Sequence, residues 1–238
     1  MKVVSDLFHK YHLSISDEKY LKSIILPIIN NPNFKERLSN NFLHHSDITL
    51  GEHIIEDTIV TYLLSKKYLN KKKDSNYRLD LALEIALFHD LYTIPWQNNP
   101  KSSVHHFFNK HGFRHPLEAT INAIIWYPEY FSNATDAKII IDGIIHHMFP
   151  LPVRVFNEGE IDKVELKNMN NYNKLSKHYK ELIYSSLNRN KIGGISLCRS
   201  KYKEGRIMSK ADKLVSRKQI KNISSAKALL TGHNKKIK

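Results

Sequence analysis

The most constraining feature of the sequence is the segment Ala86–Asp90, in which an apolar helical stretch runs directly into a histidine and an aspartate. Burying an imidazole beside a carboxylate is costly unless hydrogen bonds, charge pairing or a metal ion compensate. An isolated His-Asp pair is more often a helix-terminal carboxylate beside a satisfied core histidine. A metal hypothesis therefore requires further histidines and aspartates that reach the same point, because two residues do not hold a catalytic ion.

Two helices in the first half of the chain carry such residues. Thr49–Glu52 has the capping-box pattern, which predicts a helix start with His53 in the first turn of the helix. An Ala/Leu-rich segment over residues 77–91 has helical apolar spacing and ends on His89 and Asp90. Both helices therefore present an imidazole at or near a terminus.

Two later helices repeat this placement. Pro116 predicts a helix that begins with proline at its first position, so that His115 lies just outside the helix. Asn133 is typical of an N-cap, and the apolar helix that follows it ends in His146 and His147. Histidines thus recur where helices start or stop.

The fold class follows from the same patterns. The chain has no internal repeat and no sustained strand alternation, so an all-α helical bundle is the economical fold. Residues 153–200 differ in character and predict a small inserted subdomain, a hairpin plus a helix. We therefore divide the chain into a first part of the bundle (1–152), the insertion (153–200), a last core helix (201–222) that contains Asp212, and a basic C-terminal tail (223–238).

Charge and cysteine content limit the partners and the compartment. The formal net charge of +14 favours polyanionic partners, such as nucleotides, nucleic acid or an anionic membrane surface. Cys198 is the single cysteine, which excludes an internal disulfide and fits a reducing cytosol. Because the sequence has no signal-peptide core and no apolar window of membrane-spanning length, we expect a cytoplasmic protein without membrane association.

The candidate ligands form a set of imidazoles and carboxylates spread over five helices. These groups are donors that Fe, Mn, Zn, Co and Ni accept. Adjacent residues at a helix terminus can both reach one ion beyond that terminus. The set comprises His53, His89, Asp90, His115, His146 or His147, and Asp212.

This order of residues resembles the HD superfamily of metal-dependent phosphohydrolases, and local motifs resemble one bacterial HD-domain subfamily. The resemblance covers residues 34–217, apart from the stretch 153–200. The motifs that carry it are His44-His45, Glu52-His53, Phe88–Tyr92, Gly112–Pro116, His147–Leu151, Tyr202–Glu204 and Ala211–Lys213.

The resemblance implies an HD-domain helical bundle with one or two divalent transition metal ions, Fe, Mn, Ni, Co or Zn. By position, His53, His89, Asp90 and Asp212 hold one ion, and Asp90 bridges to a second ion. That second ion is held by His115 and His147, with His146 as the alternative ligand. Such a pair of ions generates a bridging hydroxide, with Asp90 as the catalytic carboxylate, so phosphate-ester hydrolysis is the expected reaction.

The expected substrate is a nucleotide or another small phosphorylated metabolite, contacted by His146, Arg114 and Lys213. Lys203, Arg206 and Lys210 are further cations near the motifs, although each is individually more often a solvated surface charge. Three alternatives stay open: a phosphodiesterase on RNA, DNA or a cyclic nucleotide, an HD-type di-iron oxygenase, and a non-catalytic nucleotide-binding regulator. The resemblance also allows a homodimer.

Overall fold

A computed structural model of the chain describes residues 2–45, 47–95, 110–155 and 169–219. Helices dominate these residues, so the prediction of an all-α, bundle-like fold is confirmed. The helices are α1 (Lys2–Lys10), α2 (Ile15–Ile29), α3 (Pro32–Arg37), α4 (Leu50–Lys72), α5 (Leu79–Phe88), α6 (His111–Trp126), α7 (Ala134–Ile145), α8 (Lys177–Leu187) and α9 (Lys203–Gln219). Short 3₁₀ turns cover Pro128–Phe131 and Met169–Lys174.

The strands are short and lie at the edges of the bundle. β1 (Leu43–His45) pairs antiparallel with β2 (Ile48–Thr49), directly before α4. A second sheet has the order β3-β5-β4, and its neighbouring strands are antiparallel. Its strands are β3 (Val153–Arg154), β4 (Lys191–Ile192) and β5 (Ile195–Ser196).

Helix α5 lies at the centre of the bundle, in contact with α2, α4, α6, α7 and α9. All its apolar residues from Leu81 to Phe88 are buried, as expected of a helix that is hydrophobic on every side. His89 and Asp90 follow this helix directly and are buried as well. The central packing of α5 therefore delivers a histidine and an aspartate to the protein interior.

The predicted caps are formed. The Thr49 side chain accepts from the backbone N–H of Glu52 at 3.2 Å, and Glu52 Oε2 accepts from the Thr49 backbone N–H at 2.8 Å. Asn133 accepts from two backbone N–H groups in the first turn of α7. These contacts satisfy helix donors that would otherwise lack partners, and they fix where α4 and α7 begin.

The predicted start of α6 at Pro116 is wrong. The helix begins one turn earlier, at His111, and Pro116 lies inside it. Proline near the start of a helix removes one hydrogen bond, and here it does not end the helix. As a consequence His115 is helical, and its Nδ1 lies 3.1 Å from the carbonyl oxygen of His111, one turn before it.

Two glycines let α9 approach α7 closely. A Cβ atom built on Gly205 would lie 2.7 Å from the Cα atom of Gly143, which is closer than real side chains permit. Since α9 carries Asp212 and α7 ends beside His147, this crossing sets the distance between two candidate ligands.

The stretch 153–200 is described only in part, because residues 156–168 of the predicted insertion lie outside the described residues. The described part contains α8, which packs on α7, and a turn at Gly193-Gly194 between β4 and β5. The division of the chain into domains stays a prediction, and the basic tail 223–238 lies outside the described residues. Within the described ranges, no helix has the length and apolar character needed to cross a membrane.

Candidate metal centre

The six residues predicted as ligands lie close together inside the bundle. None of their side chains belongs to a residue more than 7% exposed. They come from α4, the end of α5, α6, the end of α7 and α9, so five parts of the chain converge on one point. The six are His53, His89, Asp90, His115, His147 and Asp212. Their proximity is a property of the structure, whereas their role as ligands stays a prediction.

One group of four donors forms around His53. The Oδ2 atom of Asp57 lies 3.1 Å from His53 Nε2 and 3.2 Å from His89 Nε2. Asp212 Oδ1 lies 3.7 Å from His53 Nε2. All four side chains are buried, and one ligand atom from each lies within 4.8 Å of the others. This group has the size and donor types of a metal site.

Asp90 joins this group to a second pair of histidines. Its Oδ2 atom lies 3.7 Å from the Nε2 atoms of both His53 and His89. Its Oδ1 atom lies 3.2 Å from His115 Nε2 and 3.6 Å from His147 Nε2. The two oxygens of one carboxylate therefore face two separate pairs of imidazoles, which is the placement expected of a bridging carboxylate.

Four of the histidines are oriented by hydrogen bonds on the side away from the cluster. In each, Nδ1 lies near an oxygen that only accepts, so Nδ1 carries the proton and Nε2 faces the cluster. Metal-binding histidines are commonly held this way. The Nδ1 distances are 2.9 Å from His53 to Gln219 Oε1, 2.7 Å from His89 to Ala86 O, 3.1 Å from His115 to His111 O, and 2.7 Å from His147 to Ile144 O.

The contact between His115 and His147 requires a proton or a cation between the two rings. Their Nε2 atoms lie 3.0 Å apart, while the Nδ1 proton of each ring is directed to a carbonyl oxygen. Burial and the charges of His89 and His115 lower the pKa of His147 well below its usual value. Two neutral Nε2 atoms would repel through their lone pairs, so this contact needs a shared proton or a cation near both atoms.

The carboxylates of the cluster also require a positive charge nearby. Burial raises the pKa of Asp57 well above its usual value, and both of its oxygens lack a hydrogen bond. Burial also raises the pKa of Asp212. For His89, burial acts to lower the pKa, but the carboxylates of Asp90 and Asp57 outweigh it and raise the pKa to about 10. Without a metal, the carboxylates therefore keep His89 protonated. A metal ion would compete with this proton for the carboxylates.

Asp90 is the carboxylate that stays ionised. Its burial acts to raise the pKa, but His89 and His115 outweigh burial and hold the pKa well below its usual value. Its Oδ1 atom is buried and forms no hydrogen bond. A buried carboxylate without hydrogen bonds is stabilised by cations.

The spacing of the donors fits a metal ion. Donors at about 2.1 Å from one ion are separated by about 3.0 Å in octahedral geometry and about 3.4 Å in tetrahedral geometry. The cluster distances between imidazole nitrogens and carboxylate oxygens are 3.1–3.7 Å, and the His115–His147 distance is 3.0 Å. The residues present therefore fit a bound metal ion.

Sequence reasoning missed Asp57 entirely. Asp57 follows His53 by four residues on α4, so both side chains lie on the same face of the helix. It also interrupts an apolar run in which Ile54, Ile55 and Ile59 are buried. A carboxylate at this spacing from a candidate ligand was the signal available in the sequence.

His44 belongs to the His44-His45 motif, whose role the sequence does not decide: such a residue either faces solvent or orients a ligand or substrate. The structure places it on β1, buried, with its ring stacked on that of His53 at a centroid distance of 4.0 Å. Its Nδ1 atom lies 2.8 Å from the Tyr92 hydroxyl, and its Nε2 atom 3.9 Å from Asp90 Oδ2. His44, His53 and Asp90 form another group that could hold a metal ion.

Of the two candidates at the end of α7, His147 faces the cluster and His146 does not. His146 Nε2 lies 3.2 Å from the carbonyl oxygen of Ser186, and its Nδ1 atom lies 3.4 Å from Cys198 Sγ. Burial lowers the pKa of His146 to about 4, so the ring is neutral near pH 7. His146 instead lines a cavity beside the cluster.

The two predicted substrate-binding cations lie in different places. Lys213 lines the same cavity as His146, and its Nζ atom donates to Ser209 Oγ at 2.6 Å. Arg114 lies on α6 next to His115 and is half-buried, which lowers its pKa to about 10 while Glu118 acts to raise it. Only Lys213 therefore shares a cavity with His146.

Searches against protein-family models, curated proteins and solved structures find no match to this chain.

Proposed function

We propose that this protein is a metal-dependent phosphohydrolase of the HD superfamily that cleaves a phosphate ester of a nucleotide or small phosphorylated metabolite. The buried His/Asp cluster is compatible with a metal-dependent enzyme. The order of candidate ligands along the chain, and the local motifs around them, favour the HD superfamily over other metal-binding helical proteins.

The observation that carries the proposal is the Asp90 carboxylate. Its two oxygens face two pairs of imidazoles, at 3.7 Å on one side and 3.2–3.6 Å on the other. A structural site for one metal ion needs no carboxylate turned to a second pair of histidines. Two adjacent cation positions support phosphate-ester hydrolysis, because this reaction develops charge on both the attacking and the leaving oxygen.

In this proposal each part of the cluster has a defined task. His53, His89, Asp57 and Asp212 would hold one metal ion, His115 and His147 would hold a second, and Asp90 lies between these two groups of residues. Bound divalent ions supply positive charge that polarises a phosphate ester and lowers the pKa of water. The Nδ1 hydrogen bonds keep each imidazole in place, and the surrounding apolar residues of α4 and α5 limit the access of bulk water.

The proposal is tested with the purified full-length protein by metal analysis and by a phosphatase panel supplemented with Mn²⁺, Ni²⁺ or Co²⁺. We expect bound transition metal and release of inorganic phosphate from at least one nucleotide or sugar phosphate. Asp90→Asn is expected to lower the rate by at least about 100-fold, because the carboxylate between the two cation positions is lost. Asp6→Asn, an exposed carboxylate on α1, is the control and is expected to leave the rate unchanged.

Four results would contradict the proposal. Metal binding without phosphate release from any compound of the panel would favour a nucleotide-binding regulator. Iron-dependent consumption of oxygen would favour a di-iron oxygenase, and cleavage of an oligonucleotide without release of phosphate from small substrates would favour a phosphodiesterase. An Asp90→Asn variant with wild-type activity would exclude this cluster as the active site.

A further inference from the structure

A cavity of about 260 Å³ lies beside the metal cluster and is lined almost entirely by basic and hydroxyl side chains. Its charged members are all cations, and its one large apolar member is Phe149. The lining residues are His146, Phe149, Arg199, Ser200, Arg206, Ser209, Lys210 and Lys213. We call this cavity the basic pocket.

The four cations of the basic pocket form no ion pair with any carboxylate of the described residues. Several other basic side chains are paired: Lys66 with Asp17 at 2.8 Å, for example. Among the residues that the structure describes, no carboxylate oxygen lies within 4 Å of a side-chain nitrogen of Arg199, Arg206, Lys210 or Lys213. Four like charges around one concave surface attract an anion.

The hydrogen bonds of the pocket hold part of this charge in place. Arg206 donates from Nε to Ser200 O at 2.7 Å and from Nη2 to Lys201 O at 3.1 Å, which fixes its guanidinium group. The Lys213 ammonium donates to Ser209 Oγ at 2.6 Å and to Ser209 O at 3.2 Å, and it retains one proton for a ligand. Arg199 and Lys210 are exposed, so they lie at the rim of the pocket, where they meet an entering anion first.

The pocket adjoins the metal cluster through α9 and the end of α7. Ser209 lies one turn before both Asp212 and Lys213 on α9. The α9 residues that line the pocket are therefore neighbours of the α9 residue that belongs to the cluster. Ser209 Oγ also donates to the carbonyl oxygen of His147. His146 lines the pocket, while the next residue, His147, faces the cluster.

We propose that the basic pocket binds a phosphate group next to the one that is cleaved, so that the substrate class is a compound with a di- or polyphosphate chain. This inference rests on the proposed function for the position of the cleaved phosphate, but the pocket itself needs no metal. Its volume is small for a whole nucleotide and suits one or two phosphate groups. Four cations match the charge of a pyrophosphate group better than that of a single monoester.

The proposal also gives a role to the stretch 153–200. Arg199 and Ser200 belong to its C-terminal end, and they line the pocket together with Arg206, Lys210 and Lys213 of α9. Ser200 is held by its hydrogen bond to Asp142 Oδ2 at 2.7 Å. The bundle thus supplies the metal cluster, and this stretch completes the pocket for the second phosphate.

The test measures binding of inorganic pyrophosphate and inorganic phosphate to the metal-free full-length protein in EDTA, by calorimetry. We expect pyrophosphate to bind at least about tenfold more tightly than phosphate. The double variant Arg199→Gln/Lys210→Gln is expected to lower the affinity for pyrophosphate by at least about tenfold, the loss typical of one charged hydrogen bond. Both residues are exposed, so the variant is expected to keep the thermal stability of the wild type.

Lys67→Gln/Lys71→Gln is the matched control, because it removes two exposed charges from α4, far along the chain from the pocket. A control that weakens pyrophosphate binding as much as the double variant would overturn the proposal and assign binding to the overall positive charge. Absence of pyrophosphate binding, or oligonucleotide binding in its place, would also overturn it. Asp90→Asn separates the two proposals: it is expected to abolish hydrolysis and keep pyrophosphate binding in EDTA, so each can fail alone.

Discussion

Replacing Asp57 with asparagine is expected to stabilise the metal-free protein and to weaken its stabilisation by bound metal. Asp57 is fully buried, and its Oδ2 atom lies 3.1 Å from His53 Nε2 and 3.2 Å from His89 Nε2. Burial raises its pKa well above the usual value. The folded protein therefore either keeps a proton on this carboxyl or accommodates an unsolvated charge, and both are unfavourable at neutral pH.

The size of this effect follows from linkage. A carboxyl whose pKa is raised on folding loses stability as the pH rises above its unfolded value of about 3.9, at about 1.4 kcal/mol per pH unit. The buried amide of asparagine itself costs about 1–3 kcal/mol. Because Asp57→Asn removes the titrating group whose pKa burial raises, it is expected to stabilise the metal-free protein at pH 7 relative to its effect at pH 4.

With metal present this gain is offset by weaker metal binding. The amide is a weaker ligand than the carboxylate, and we expect metal affinity to fall by at least about 10–100-fold, the range seen even for residues that only support a ligand. Stabilisation by a bound ion depends on the ratio of free ion to dissociation constant, so the variant loses about 1.4–2.7 kcal/mol of it at a saturating concentration. The added metal should then raise the melting temperature of the wild type more than that of the variant.

Thermal unfolding is measured in EDTA and in a titration of Mn²⁺. In EDTA, a gain of about 1–3 kcal/mol corresponds to a rise of roughly 2–10 °C for a chain of this size. Asp142→Asn is the matched control, since Asp142 is equally buried but accepts from Ser200 Oγ and the Lys201 backbone N–H, both at 2.7 Å. The control is expected to destabilise the protein with and without metal. If Asp57→Asn behaves like Asp142→Asn, Asp57 is a structural residue and the reasoning is wrong.

Three further predictions concern residues around the cluster. The pKa of Glu84 is raised to about 8 by burial and by Asp80 and Asp136, so the stability that its protonated form contributes is lost as the pH rises from about 4.5 to 8. Glu84→Gln should therefore match the wild type in melting temperature near pH 4.5 and exceed it at pH 8.5, whereas the exposed Glu181→Gln should show no such difference. Gly205→Ala should lower the free energy of unfolding in urea by about 1–3 kcal/mol and weaken metal binding, because its Cβ would meet the α7 backbone. Gly112→Ala is the control and should do neither, because its Cβ would meet nothing within 4 Å among the described residues. Arg37→Lys should lower the free energy of unfolding by about 2–4 kcal/mol, because Arg37 is fully buried and donates to Tyr92 O at 2.9 and 3.1 Å. Arg78→Lys, in an exposed ion pair, should change the free energy of unfolding by less than about 1 kcal/mol.

Local signals in the sequence predicted much of the fold. The capping pattern at Thr49 and the N-cap at Asn133 mark the starts of α4 and α7 because they depend on residues three or fewer positions apart. The start of α6 was predicted wrongly because Pro116 carries a strong helix-start signal, while nothing at Lys110 or His111 does. Tertiary packing tolerates the one hydrogen bond that Pro116 removes.

The sequence by itself determined the all-α class and which imidazoles and carboxylates were available, since both depend on residue type and spacing within single helices. Only the tertiary structure decided which of them meet. His146 and His147 are adjacent in the sequence, yet the His146 ring contacts Ser186 and the His147 ring contacts His89. His44 joins the cluster because β1 lies beside the end of α5, a contact between distant segments that no local pattern encodes, whereas the spacing of Asp57 four residues after His53 was available in the sequence.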